Sequence, residues 1–218
     1  MKSKTKTELF IASALLVLFA VWTILVSTVD LSPIGPLNSE VGFATLNGAV
    51  RDAVGVRVSL YTLTDWLGLV PIGIALGFAA LGLVQWIQRR SLKRVDLNLL
   101  ALGIFYVLIF AAFLLFEEIA LNYRPVLIDG QLEASYPSST TLLVLCVLPT
   151  AMMQWRARIQ SKPLRRITLF AAAIFTAFTV VGRLLSGVHW ITDIIGGLLL
   201  GASLVLLYHA IAFSSSNQ

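Results

Sequence analysis

Six stretches of this chain carry no charged side chain: 9–29, 66–88, 97–116, 134–155, 167–182 and everything from 194 onward. Apolar residues run continuously through them instead of alternating with polar ones, which is a pattern of helices and not of barrel strands. A helix needs about 20 such residues to cross the hydrocarbon core of a bilayer. The fourth stretch turns polar at Tyr136-Pro137-Ser138-Ser139-Thr140-Thr141, so its buried part is expected to start near Ser138. The fifth reaches full length only by taking in Arg183 near one end. The pattern predicts one all-α domain over residues 1–218, a bundle of six transmembrane helices at 9–29, 66–88, 97–120, 138–155, 167–186 and 190–213. The first follows a basic start, MKSKTK, but its apolar core of 21 residues is too long for a cleaved signal. It is expected to stay as the first helix.

Composition narrows this to an integral membrane protein. Of the 218 residues 58% are hydrophobic and 12% charged, about half the charge of a soluble domain. The wealth of Leu, Val, Ile and Phe excludes disorder. The single cysteine, Cys146, excludes a disulfide scaffold. A net charge of +5 could by itself suit an anionic partner such as nucleic acid. The positions of the charges decide otherwise. With a cytoplasmic N-terminus, Lys2, Lys4, Lys6, Arg89, Arg90, Lys93, Arg94, Arg156, Arg158, Lys162, Arg165 and Arg166 all fall inside. Only Arg51, Arg57, Arg124 and Arg183 fall outside. Such an asymmetry is the positive-inside pattern. Both termini are therefore expected in the cytoplasm of a multi-pass cell-membrane protein, with the bilayer and not nucleic acid as its partner.

The four outer arginines need their own account. Arg51 and Arg57 lie in the loop 30–65, whose part around 43–61 reads as a short helical element in the headgroup region, anchored by them. Arg124 and Arg183 sit at the outer ends of the third and fifth spans, where a charge marks a candidate site. Three clusters share that face. Glu117-Glu118 and Asn122-Tyr123-Arg124-Pro125 end the third span. Pro137-Ser138-Ser139-Thr140 opens the fourth, and Gly182-Arg183, His189 and Asp193 bridge the fifth and sixth.

Each cluster suits an oxyanion. A proline followed by Ser138, Ser139 and Thr140 is a helix start, whose free N–H groups and dipole attract negative charge. Two guanidiniums can grip the same anion with forked geometry. His189 and Asp193 are four residues apart and share one helical face. A carboxylate on one imidazole nitrogen fixes the tautomer and leaves the other nitrogen with an attacking lone pair. Together these read as phosphoryl transfer. His209, at the inner end with no partner in register, reads as structural. Glu117, Glu118, His189 and Asp193 have the ligand types for a metal, but the adjacent arginines argue against a bound cation.

At these residues the chain resembles the type 2 phosphatidic acid phosphatase superfamily, membrane lipid phosphate phosphatases related to vanadium haloperoxidases. That family carries K-x6-R-P, P-S-G-H and S-R-x5-H-x3-D. Here the third motif reads Gly182-Arg183, five residues, His189, three residues, Asp193; the first reads Glu117, six residues, Arg124-Pro125; the second reads Pro137-Ser138-Ser139-Thr140. The resemblance implies a six-span bundle and a phosphatase or phosphotransferase active on a lipid phosphate or diphosphate at the extracytoplasmic face. The isoprenoid diphosphate, phosphatidate and phosphatidylglycerophosphate types are all open. It implies His189 as nucleophile forming a phosphohistidine, Asp193 orienting it, and Arg124 and Arg183 binding phosphate oxygens. Ser138, Ser139 and Thr140 would complete the cradle, the backbone amides of the two serines included. No metal and no cofactor is implied.

Two of the departures from the family motifs bear directly on the chemistry. Thr140 stands where the family has the histidine that protonates the leaving alkoxide, and a hydroxyl is too weak an acid for that. Glu117 stands where the family has lysine. Three accounts follow: a diphosphate substrate whose leaving phosphate needs little protonation, Glu117 or Glu118 as the acid, or a member that binds or transports lipid phosphates without hydrolysing them.

Overall fold

In a bilayer every backbone polar group must be satisfied within the protein, so long apolar runs become helices. The computed structural model describes residues 3–213; Lys2, one of the basic residues expected inside, lies outside them. Eight α-helices follow in order among the described residues: α1 (Ser3–Val26), α2 (Ala44–Val54), α3 (Val58–Leu67), α4 (Leu69–Arg89), α5 (Leu97–Ile119), α6 (Ser139–Arg158), α7 (Lys162–Leu185) and α8 (Ile191–Ala212). Isolated bridges, such as Tyr123 with Ala134, tie the α5–α6 loop to itself.

Among the described residues five runs are long and apolar enough to cross a membrane: α1, α3 with α4 as one run from Val58 to Arg89, α5, α7 and α8. The second begins earlier than the sequence pattern suggests, because α3 leads into α4 through Gly68. The expected fourth span, α6, is the more polar helix, and its place in the bundle explains why. It packs against α4, α5, α7 and α8, so its side chains meet protein instead of lipid. Thr150 is fully buried and bonds Tyr106, while Gln154 Nε2 donates to the Tyr208 hydroxyl at 2.5 Å. The outer faces of α4 and α5 instead present Leu76, Leu83, Ile104 and Val107 to their surroundings.

The two ends of the bundle differ in kind. At one end Asp96 pairs with Arg89 (2.9 Å) and Arg158 (3.4 Å) and accepts from Gln85, whose hydrogen bond is the first cause holding its carboxyl below the usual range. His209 has a partner there after all: its Nδ1 lies 3.0 Å from Glu8 Oε2, a contact across 201 positions of sequence that no local spacing reveals. Arg124, Arg183 and His189 gather at the other end.

The segment joining α1 to α4 folds over that second end. Trp22 of α1 stacks on Phe43 and donates to the Thr192 carbonyl. Asn47 of α2 is buried and bonds both the Thr192 hydroxyl and the Gly42 carbonyl. Arg51 and Arg57, expected as headgroup anchors, each meet a protein group, and Arg57 stays exposed. Arg51 lies 6.0 Å from the Trp190 ring centroid, and Arg57 donates to the Leu185 carbonyl at the end of α7.

Candidate active site

His189 sits in the short connection between α7 and α8, and only 4% of it is exposed. Arg183, in the last turn of α7, brings Nη2 to 3.0 Å from His189 Nε2. Arg124, in the α5–α6 loop, brings Nη1 to 3.5 Å from the same nitrogen. A guanidinium only donates, so Nε2 accepts and the ring proton resides on Nδ1. That nitrogen faces Asp193 Oδ2 at 3.5 Å. Burial first, then the charges of Arg183 and Arg124, push the imidazole pKa well below its usual value. His189 is thus neutral, with its lone pair directed between two cations.

Asp193 is fixed by the helix it begins. Its Oδ2 accepts the Trp190 backbone N–H at 2.9 Å, closing the first turn of α8, and Ser135 and Asn122 stand beside the carboxylate. Trp190 is itself buried and donates its indole N–H to the Tyr123 carbonyl, which ties α8 to the segment carrying Arg124. The start of α8, the end of α7 and the α5–α6 loop are thereby held in one arrangement.

Ser138 caps α6, but its backbone N–H is already given to the Asp193 carbonyl at 3.2 Å. Its amide is therefore not free for an anion, contrary to the sequence expectation. Ser139 and Thr140 open the helix and are half-buried, and first-turn N–H groups have no partner within their own helix. The Ser138 hydroxyl and Arg183 Nε are buried with no hydrogen-bond partner among the described residues. Leaving such groups unpaired costs about 1–3 kcal/mol each, which the oxygens of an oxyanion would offset.

Three residues of the site escape sequence reading. Tyr61 of α3 lies beneath both guanidiniums, 5.0 Å from Arg183 Cζ and 5.7 Å from Arg124 Cζ, in cation–π range. Asp65, one turn further on, pairs with Arg183 Nη1 at 3.5 Å. Glu133 pairs with Arg124 Nε at 3.0 Å. Gly182 makes the α3 contacts feasible: a Cβ there would meet Thr64 Cγ2 at 2.7 Å. Asp65 is the one that carried a signal, a lone carboxylate at the mouth of a long apolar run. Tyr61 and Glu133 carried none.

Glu117 and Glu118 are exposed at the end of α5. Neither pairs with Arg124, Arg183 or His189; the carboxylates that meet these arginines are Asp65 and Glu133. No three His, Cys, Asp or Glu side chains converge as a metal-holding group among the described residues.

A cavity of about 940 Å³ runs beside the site between α4, α5 and α6. Its wall on α4 extends from Gly68 to Trp86, about 27 Å at 1.5 Å per residue, close to the thickness of a hydrocarbon core. Leucines, phenylalanines and Tyr106 line it; Asp65, Ser139 and Thr140 form its polar end.

Fold and site define an apolar helix bundle with two arginines and a buried histidine gathered at one end. The model of the PAP2 superfamily matches residues 117–216, the stretch that holds the three motif segments. The chain is also similar in fold to the crystal structure described as the first transmembrane PAP2 type phosphatidylglycerolphosphate phosphatase from Bacillus subtilis. That likeness has a TM-score of 0.61 at 17% identity and covers 95% of this chain and 97% of that one. No curated protein matches the chain.

Proposed function

We propose that this protein is a membrane phosphatase that removes phosphate from a lipid phosphate, through a covalent phosphohistidine at His189, on the extracytoplasmic side. The observation that carries the reading is the direction of His189 Nε2. It is neutral and buried, and it faces two guanidinium groups at 3.0 and 3.5 Å. Arg124 and Arg183 hold the phosphoryl oxygens and stabilise the charge that builds as phosphorus is attacked. Asp193 keeps the ring proton on Nδ1 and supports the imidazole as it bonds to phosphorus. The N–H groups of Ser139 and Thr140, with the Ser138 hydroxyl, supply further donors.

The apolar cavity favours a lipid over a soluble ester, since it ends in polar groups beside the arginines. A diphosphate is the favoured head. Thr140 cannot protonate a leaving alkoxide, and the exposed Glu117 and Glu118 do not reach the site, whereas a leaving phosphate needs little protonation. Six crossings follow if α6 spans with its neighbours. The basic residues at the far end then face the cytoplasm, as the positive-inside pattern requires.

Phosphate release from an isoprenoid diphosphate and from phosphatidate, by wild type and His189→Ala, tests the reading. Release by wild type with at least a hundredfold loss in the variant supports it. Wild type that is as silent as the variant on both lipids, yet binds them, supports a lipid-phosphate binder instead.

A further inference from the structure

Hydrolysis through a phosphohistidine has two halves, and the second needs a group that takes a proton from water. Asp193 lies behind the imidazole, on the Nδ1 side. Glu133 sits at Arg124 Nε, the guanidinium edge remote from the Nη1 that faces His189. Tyr61 lies under the faces of the two guanidiniums, and a phenol is a weak acceptor of protons at neutral pH. Asp65 differs from all three. It reaches Nη1 of the same guanidinium whose Nη2 meets His189 Nε2, from another helix, and its side chain is 56% exposed. It also shares the polar end of the apolar cavity with Ser139 and Thr140.

In-line geometry fixes which side matters. When Nε2 attacks phosphorus, the leaving oxygen departs from the opposite face, on the side where the lipid chain lies. Water then enters from that face once the leaving lipid has gone. We propose that Asp65 is the catalytic base of the second half-reaction, stationed where the cavity meets the phosphoryl site; this rests on the phosphohistidine reading above. Asp65 takes one proton from the water as its oxygen bonds to phosphorus. The P–Nε2 bond breaks, its electron pair returns to the imidazole, and inorganic phosphate leaves. The proton on Asp65 then passes to water at the mouth of the bundle.

The test uses the full chain in lipid micelles and an isoprenoid diphosphate labelled at its terminal phosphate, with wild type, Asp65→Asn and Asp65→Glu. Asp65→Asn is expected to release one equivalent of lipid monophosphate per enzyme at a rate within about threefold of wild type. It should then stall, with acid-labile, base-stable label on the protein and steady turnover down about 10²–10⁴-fold. Asp65→Glu, which keeps the carboxylate, is expected to recover at least a tenth of wild-type turnover. Asp65→Asn losing burst and turnover alike without label, or keeping full turnover, overturns the proposal: the residue then only positions Arg183, or does nothing. A wild type that releases no phosphate and takes no label overturns the phosphatase reading itself, and is recognised because it does not depend on Asp65.

Discussion

Arg183 Nη2 stands 3.0 Å from His189 Nε2, so a cation on α7 fixes the protonation state of the imidazole six residues later. Burial and this charge both oppose a second proton on the ring. Histidine NMR in a His209→Gln background, which leaves His189 as the one histidine, is expected to show a neutral ring at pH 6.5 and below. Arg183→Gln should move the midpoint upward, toward the ordinary histidine value. The linked stability has a definite sign. The unfolded chain takes up the proton near pH 6.5 while the folded one does not, so stability falls as pH drops below that point.

Gly182 gives a second test. The family motif has serine there, but in this chain α3 occupies the space a Cβ would need, at Thr64 Cγ2. Gly182→Ser is expected to destabilise the fold by about 1–3 kcal/mol and to lower turnover by displacing Tyr61 and Asp65. Adding Thr64→Ala removes the opposing methyl, since the Thr64 hydroxyl bonds only carbonyls of its own helix. Thermal melting and turnover of the double variant should both return toward wild type.

Asp193→Asn separates charge from capping. The amide oxygen can still accept the Trp190 N–H, so the start of α8 should persist. Without the carboxylate behind Nδ1, turnover is expected to fall by about 10²-fold or more. Asp193→Ala should lose the cap as well and melt lower.

The exposed pair at the end of α5 is expected to be dispensable. Glu117→Gln and Glu118→Gln should keep turnover within about twofold of wild type, with the alkaline limb of the pH profile unchanged. A loss confined to that limb would restore either residue as the acid.

These residues also mark how far the sequence can be read. His189, Asp193 and Arg183 fall in one continuous segment marked by its motif spacing, and Arg124 is marked by its own motif; the expectation that His189 and Asp193 share a helical face does not hold, because His189 lies in the connection before α8 begins at Ile191. The membrane runs follow from hydropathy. The α6 helix is less legible because its polar Thr150 and Gln154 face other helices, and hydropathy assumes lipid. Glu133 meets Arg124 within the folded α5–α6 loop, where no helical or strand period sets the spacing, whereas Tyr61 and Asp65 come to the site by tertiary packing across long stretches of chain. The same holds for the Glu8–His209 contact, and no local spacing encodes it.

The covalent intermediate carries the central claim. Wild type and His189→Ala should be mixed with terminally labelled isoprenoid diphosphate, quenched in base within the first turnover, and the labelled peptide sequenced. Label on wild type at His189, base-stable and acid-labile, with none on His189→Ala, is the result expected. Wild-type turnover with no label at any time, or equal label on His189→Ala, would contradict it.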